Sequence, residues 1–341
     1  MWQVLKSALP RPTPSSPDAD GLSLLTIDID ECHSRLSAIN PHKSTGLDCI
    51  PASLLKTASS PIASPLINTS GSFPSSWKRA LVKPLHKGGS RDELSNFRPI
   101  SLLPVASKVL ESVVKDQVYS HVYSLNLLYH WQSGFRPGHS TTTTLLHVTN
   151  EWFRALDNGL FVGVVFLDIS KAFDNVNHDL LLSRLRDFDL DSVSCQWFQS
   201  YLLDRYQCTA IDSEHSGDLA ATSGVPQGSV LGPLLFSTFV NRLPVHLHGV
   251  NTVLFADDTT VVVAGTFIAD ISATLSTAIT AAYDWFLSSG LRLNVAKTKC
   301  MLLHSSRRIP TSALDVQLNG HTIDRVQRYK FLGVIIINTL S

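Results

Sequence analysis

Cysteine is scarce in this chain. Among 341 residues there are five, Cys32, Cys49, Cys195, Cys208 and Cys300, and no two have the Cys-x-x-Cys spacing. No zinc module is therefore visible, and an odd count argues against a disulfide framework. Such cysteine usage fits a reducing compartment, so an intracellular location, nucleus or cytoplasm, is expected. Long apolar runs are lacking as well. Those present are short or broken by charge, so no membrane span is expected, and no signal peptide stands out. Net charge is also missing, with 28 Lys plus Arg against 28 Asp plus Glu. Charge balance alone gives no sign of a nucleic-acid partner.

What is present is unevenly distributed. Lys78, Arg79, Lys83, Lys87, Arg91 and Arg98 crowd one stretch, and Arg292, Lys297, Lys299, Arg307, Arg308, Arg325, Arg328 and Lys330 crowd another. Between them lies a stretch rich in aspartate, from Asp157 to Asp191. Basic flanks around an acidic centre suit a metal site that handles polyanions. Ordinary surface patchiness is the better account of the charges when they are taken alone.

Residues 1 to about 24, rich in Pro, Ser and Asp, read as a linker. A short amphipathic helix is expected over Ile27–Ile39. Pro104 is placed for the first turn of a helix reaching about His121, with Val105, Val109, Val113 and Val118 as its apolar stripe. Ser140 can cap the next helix, whose buried side carries Leu145, Val148, Trp152 and Leu156. Phe161–Leu167 is apolar at every position and is expected to be a central strand. A hairpin is expected over Val253–Val263, then a long helix from about Ala269 to Ser288. Late strands are expected at Cys300–Leu303 and Phe331–Ile337. Interleaved strands and helices with a hairpin predict an α+β fold, an antiparallel sheet with helices packed on one face.

The most telling residues are three aspartates. Asp257 and Asp258 sit together inside the Val253–Val263 run, where a two-residue hairpin turn would fall, and Asp168 ends the Phe161–Leu167 run. An Asp-Asp turn is by itself an ordinary surface turn. A carboxylate at the end of a central strand is harder to explain without a partner. If the hairpin neighbours that strand, the three carboxylates gather at one edge, where they ionise together only with cations between them. Oxygen ligands favour Mg2+ or Mn2+ over zinc. Two such ions are the apparatus of nucleotidyl transfer.

From Asn40 to Gly333 the chain resembles the reverse transcriptases of non-LTR (LINE-type) retrotransposons. Several motifs carry the resemblance, in the expected order. They are Asn96-Phe97-Arg98-Pro99-Ile100-Ser101-Leu102-Leu103, then Gln132-Ser133-Gly134-Phe135-Arg136-Pro137-Gly138-His139-Ser140-Thr141, then Phe166-Leu167-Asp168-Ile169-Ser170-Lys171-Ala172-Phe173-Asp174. Gly224-Val225-Pro226-Gln227-Gly228-Ser229, Phe255-Ala256-Asp257-Asp258, Asn294-Val295-Ala296-Lys297-Thr298-Lys299 and Tyr329-Lys330-Phe331-Leu332-Gly333 follow.

The resemblance implies an RNA-directed DNA polymerase domain, built as right-hand fingers and palm. It implies a linker and short helix over 1–39, fingers over 40–155, and palm with primer-grip region over 156–341. Asp168, Asp257, Asp258 and the Ile169 backbone carbonyl would hold two Mg2+ ions. Arg98, assisted by Lys83, would meet the incoming triphosphate, and Phe173 would exclude a ribose 2′-hydroxyl. Gln227 and Gly228 would touch nucleotide or template, and Lys297 would lie near the departing pyrophosphate. Without the resemblance, Phe173 reads as core and the lysines as solvated charge. Implied partners are an RNA template, a DNA primer, dNTP and other parts of the retroelement protein. The expected chain is truncated at both ends, with no room for an endonuclease before Asn40 and no thumb after Gly333. A catalytically inactive remnant that binds RNA or hybrid is the alternative reading.

Overall fold

The computed structural model describes residues 21–24, 28–67 and 72–340. The helices and strands run α1 (Ile29–Ser37), α2 (Ala52–Thr57), α3 (Ser59–Ile67), β1 (Arg79–His86), β2 (Phe97–Leu102), α4 (Val105–Ser124) and α5 (Thr141–Asp157). Next come β3 (Phe161–Leu167), β4 (Ile169–Ser170), α6 (His178–Asp187), α7 (Ser192–Leu202), β5 (Arg205–Ile211), β6 (Glu214–His215), β7 (Leu219–Ala221) and α8 (Gly232–Val240). The last are β8 (Asn251–Phe255), β9 (Asp258–Gly265), α9 (Ile268–Ser288), β10 (Arg292–Leu293), β11 (Lys299–Ser305), β12 (Gln317–Leu318), β13 (His321–Thr322), β14 (Asp324–Arg325), β15 (Arg328–Phe331), β16 (Val334–Ile337) and β17 (Thr339–Leu340). No helix among the described residues is long and apolar enough to cross a membrane.

The chain forms two compact units. The described residues of one lie in Leu128–Ala172 and Val240–Ser341; those of the other lie in Pro10–Leu127 and Phe173–Phe239. Each is therefore discontinuous in sequence, unlike the contiguous blocks expected with boundaries at 39/40 and 155/156.

The first unit is organised by a sheet of order β14-β11-β3-β9-β8, with β17 also on β11. β3 is buried at all seven positions, as its unbroken apolar run requires. Side chains alternate across a sheet. Val162, Val164 and Phe166 therefore share one face, where they cluster with Val148, Trp152, Ala155 and Leu156 of α5 and with Phe331 and Ile336. Gly163 points to the opposite face, where a Cβ would overlap Ile271 Cγ2 and lie 2.8 Å from Leu275 Cδ1 of α9. Helices thus cover both faces, not one. A strand apolar on both sides cannot leave either in water. The sheet is not purely antiparallel either. β11 pairs β14 and β17 in parallel, and the ladders β11–β3, β3–β9 and β8–β9 are antiparallel.

The expected strand over Phe331–Ile337 is instead the end of β15, a turn and β16. Leu332 and Gly333 have φ of 46° and 90°, left-handed values that close a two-residue hairpin. Ser140 caps α5 as expected, in a reciprocal box with Thr143.

In the second unit α1, α2, α3 and α4 share a core of Cys32, Leu36, Leu55, Ala63, Val105 and Val109. Its sheet has the order β2-β1-β5-β6, with β7 on β5 and with β1 and β5 parallel. Pro104 stands one residue before α4, as its N-cap, and burial on α4 extends well beyond the four-valine stripe to Glu111 and Tyr119. Residues near Leu22 are not linker. The Leu22 amide donates to the Asp189 carbonyl and its carbonyl accepts from the Asp191 amide, at 2.6 and 3.0 Å. The rest of the expected linker, residues 1–20, lies outside the described residues.

Candidate active site

The β8–β9 hairpin presents two of the three aspartates. Phe255 pairs with Asp258, so the two-residue loop is Ala256-Asp257, and Asp258 already opens β9. The sequence places both aspartates in the turn; the ladder shifts the loop back by one residue. The alternation that buries Val262 and Val253 against α5 fixes that register. Ala256 then sits at φ 58°, a left-handed conformation that costs a non-glycine residue about 1 kcal/mol or more.

Asp168 follows β3. The last pair of the β3–β9 ladder is Leu167 with Thr259. The next residue on each strand is Asp168 on one side and Asp258 on the other. Asp168 is half-buried, and Asp257 and Asp258 are exposed. The Asp168 backbone is held from the Asn294–Lys299 motif. Its carbonyl accepts from the Asn294 amide at 2.7 Å, and its amide donates to Thr298 Oγ1 at 3.4 Å. Leu293 pairs with Ile169 across β10 and β4. Since Asp168 and Asn294 are hydrogen-bonded, the next pair is a non-bonded one, and the Ile169 carbonyl turns away from β10. Lys297 is exposed, its amide donating to Asn294.

Tyr329 on β15 stacks flat on Phe166, ring centroids 3.9 Å apart. Burial raises its phenol above the ordinary range, and the negative charges of Asp258 and Asp168 raise it further. Both carboxylates are therefore felt at one point beside β3. The donors are all oxygen and two of the three side chains are exposed, which suits a hard divalent cation. Among the described residues, however, no group of three or more His, Cys, Asp or Glu side chains is arranged to hold a metal ion.

The segment Trp131–Gly134 lines the outer edge of β8. The Leu254 amide donates to the Trp131 carbonyl at 3.1 Å, and the Ser133 amide donates to the Leu254 carbonyl at 2.9 Å. Such pairing blunts an otherwise open edge strand. Trp131 has no role legible in the sequence, and Gln132, Ser133 and Gly134 have none beyond the motif those three belong to.

In the second unit, Leu85 pairs with Arg98 and Lys83 with Ile100. Lys83 and Arg98 therefore share one face of the β1–β2 ladder as diagonal neighbours, both exposed. The Phe173 ring, half-buried, stacks on Phe236 with centroids 4.6 Å apart. Gln227 Nε2 donates to Asp174 Oδ1 at 2.8 Å, and its backbone carbonyl accepts from the Ser101 amide at 2.7 Å. Gly228 has φ 118°, and a Cβ there would lie 2.7 Å from the Ser101 carbonyl oxygen.

Further supports of this loop escaped the sequence. His178 Nε2 lies 2.8 Å from the Gly224 carbonyl. Glu111, fully buried in α4, accepts from the Val230 and Leu231 amides at 2.7 and 3.2 Å. Nothing in the helical pattern of α4 marks Glu111 as an inward position. Asp174, Asn177 and His178 all read as helix-cap residues in the sequence; of the three only Asn177 caps α6, accepting from the Leu180 amide.

Residues 85–336 match the family model described as reverse transcriptase (RNA-dependent DNA polymerase). Among curated proteins, the chain is 31% identical to the probable RNA-directed DNA polymerase from transposon BS of Drosophila melanogaster, over 79% of this chain. It is also 31% identical, over 80% of its length, to the RNA-directed DNA polymerase from mobile element jockey of the same species. It is 29% identical over 92% of its length to the putative 115 kDa protein in type-1 retrotransposable element R1DM, again of Drosophila melanogaster. In each case the match spans 30% of the relative. With its mixed α+β architecture and this match, the chain belongs to the reverse transcriptase (RNA-dependent DNA polymerase) family, as a domain related to the polymerases of non-LTR retrotransposons.

Proposed function

We propose that this domain extends a DNA primer 3′-hydroxyl with dNTP on an RNA template. The observation that carries the reading is the placement of Asp168 and Asp258 as the next residues beyond the Leu167–Thr259 pair, within the span that matches the family. On this reading residues 40–155 are the fingers and residues 156–341, with β3, β8, β9 and β11, are the palm with its primer-grip region. The setting is intracellular, nucleus or cytoplasm, with other parts of a retroelement protein as partners.

Asp168, Asp257, Asp258 and the Ile169 carbonyl are the groups that would hold two Mg2+ ions, or Mn2+. When bound, such ions make the primer hydroxyl more acidic and offset charge on the departing pyrophosphate. The remaining roles fall to side chains. Arg98 offers a rigid fork of donors to triphosphate oxygens, with Lys83 adding charge on the same face. Phe173, braced by Phe236, is the wall against a 2′-hydroxyl. Gln227, held by Asp174, is fixed for contact with nucleotide or template, and Gly228 lets the backbone come close. Lys297 supplies a proton or screening charge to the leaving group.

Primer extension on homopolymer RNA tests this, run beside Asp257→Ala. The expected result is Mg2+-dependent incorporation that falls at least about a hundredfold in the variant. A second reading, binding of RNA or hybrid without turnover, is favoured by the absence of a closed three-carboxylate cluster among the described residues. Salt-sensitive binding without incorporation would support it.

A further inference from the structure

The Ala256-Asp257 turn is strained at Ala256, and Ala256 is buried. A two-residue hairpin turn itself calls for positive φ, but alanine adopts it at a cost, so a contact from outside the hairpin that favours this conformation bears directly on the turn. The contact is Gly134. A Cβ at Gly134 would overlap the Ala256 nitrogen and lie 2.8 Å from both the Ala256 Cα and the Phe255 carbonyl carbon. The two backbones therefore touch at a distance only glycine permits.

Gly134 is itself held by Gln132. That side chain is fully buried, and its Oε1 accepts from the Gly134 amide at 3.1 Å. Its Nε2 has no hydrogen-bond partner among the described residues. The Ser133 hydroxyl is 3.0 Å from His139 Nδ1. The hydrogen bonds of Trp131 and Ser133 to Leu254 then fix the segment in register with β8.

We propose that Gln132 and Gly134 are positioning residues of the carboxylate hairpin. Gln132 closes the segment on itself, and Gly134 wedges Ala256 into the conformation that aims Asp257 and Asp258. The assignment to catalysis rests on the polymerase reading; the assignment to the hairpin does not.

Two measurements on the full chain separate those claims. Gln132→Leu removes the acceptor for the Gly134 amide, whereas Gln132→Glu keeps an acceptor oxygen whether ionised or protonated. Hydrogen exchange is followed for peptides covering residues 251–262. Exchange in that hairpin is expected to rise at least about tenfold in Gln132→Leu, with α9 peptides unchanged, and to return toward the parent rate in Gln132→Glu. In primer extension, Gln132→Leu is expected to lower kcat about thirtyfold with KM for dNTP within about twofold, and Gln132→Glu to recover most of the loss. Gly134→Ala is expected to behave like Gln132→Leu. If it fails to fold, the Gln132 pair still decides. Unchanged hairpin exchange in Gln132→Leu overturns the proposal, as does a loss confined to KM. An inactive parent chain whose hairpin exchange still responds would keep the brace and overturn the polymerase reading.

Discussion

The Tyr329 ring lies on the Phe166 ring with the planes within 10° of parallel. Phe166 is two residues before Asp168, so this stack anchors the β15–β16 hairpin to the strand that delivers the carboxylate. Tyr329→Ala is expected to lower stability by about 2 kcal/mol, from lost stacking and burial. Tyr329→Phe keeps the ring and should cost less than about 1 kcal/mol. Urea unfolding of the two variants checks the contrast; equal losses would show that the ring face contributes nothing particular.

Gly163 is the point where α9 comes closest to β3. Gly163→Ala forces Ile271 and Leu275 to move, and overpacking of this kind costs about 1–3 kcal/mol. The expected readout is a lower midpoint of thermal unfolding. Gly163→Ala combined with Ile271→Leu should regain part of the loss, since leucine is not branched at Cβ and so lacks the Cγ2 methyl that the new Cβ would overlap.

Glu111 gives a pH signature. Burial holds its carboxyl above the ordinary range, while Arg205, the Leu231 and Val230 amides and Lys108 act to lower it. A carboxyl raised in the folded state binds its proton more tightly there than in the unfolded chain. Its contribution is therefore complete below the ordinary glutamate pKa and declines as pH rises through the folded value. Glu111→Gln should flatten the dependence of Tm on pH above about 4.5. Glu111→Leu instead leaves the Val230 and Leu231 amides without their acceptor and should destabilise by about 3 kcal/mol. A Glu111→Gln curve that superimposes on the parent would count against this account.

Arg98 is exposed on the β1–β2 ladder, so replacing it should leave unfolding unchanged within about 0.5 kcal/mol. Under the proposed function, Arg98→Ala raises KM for dNTP about tenfold, and Arg98→Lys recovers only part of that, because an ammonium cannot form the paired contact. Steady-state incorporation at varied dNTP decides it.

Much of the fold was legible where one physical pattern dominates. Seven apolar residues in a row made β3 central, Ser140 marked the start of α5, and the apolar runs beside Asp257 and Asp258 marked the hairpin. Less was legible where tertiary context decides. The one-residue shift of the turn depends on which residues of β9 meet α5, and that is set by a strand about a hundred residues earlier in sequence. The helix on each face of the sheet follows from β3 being apolar on both sides, a pattern that the run Phe161–Leu167 already carries. The bracing roles of Glu111 and Gln132 show no local signature, since a buried polar residue is recognised only when its partners are known.

β3 has one consequence for how the polypeptide comes into being. Its ladder partners, β9 and β11, are made on the order of a hundred residues later, and closing loops of that span slows folding. On the ribosome the most apolar strand therefore emerges well before either neighbour can shield it. Until then it is a ready nucleus for aggregation, and fragments ending before β9 should accumulate as insoluble material however well the earlier helices form.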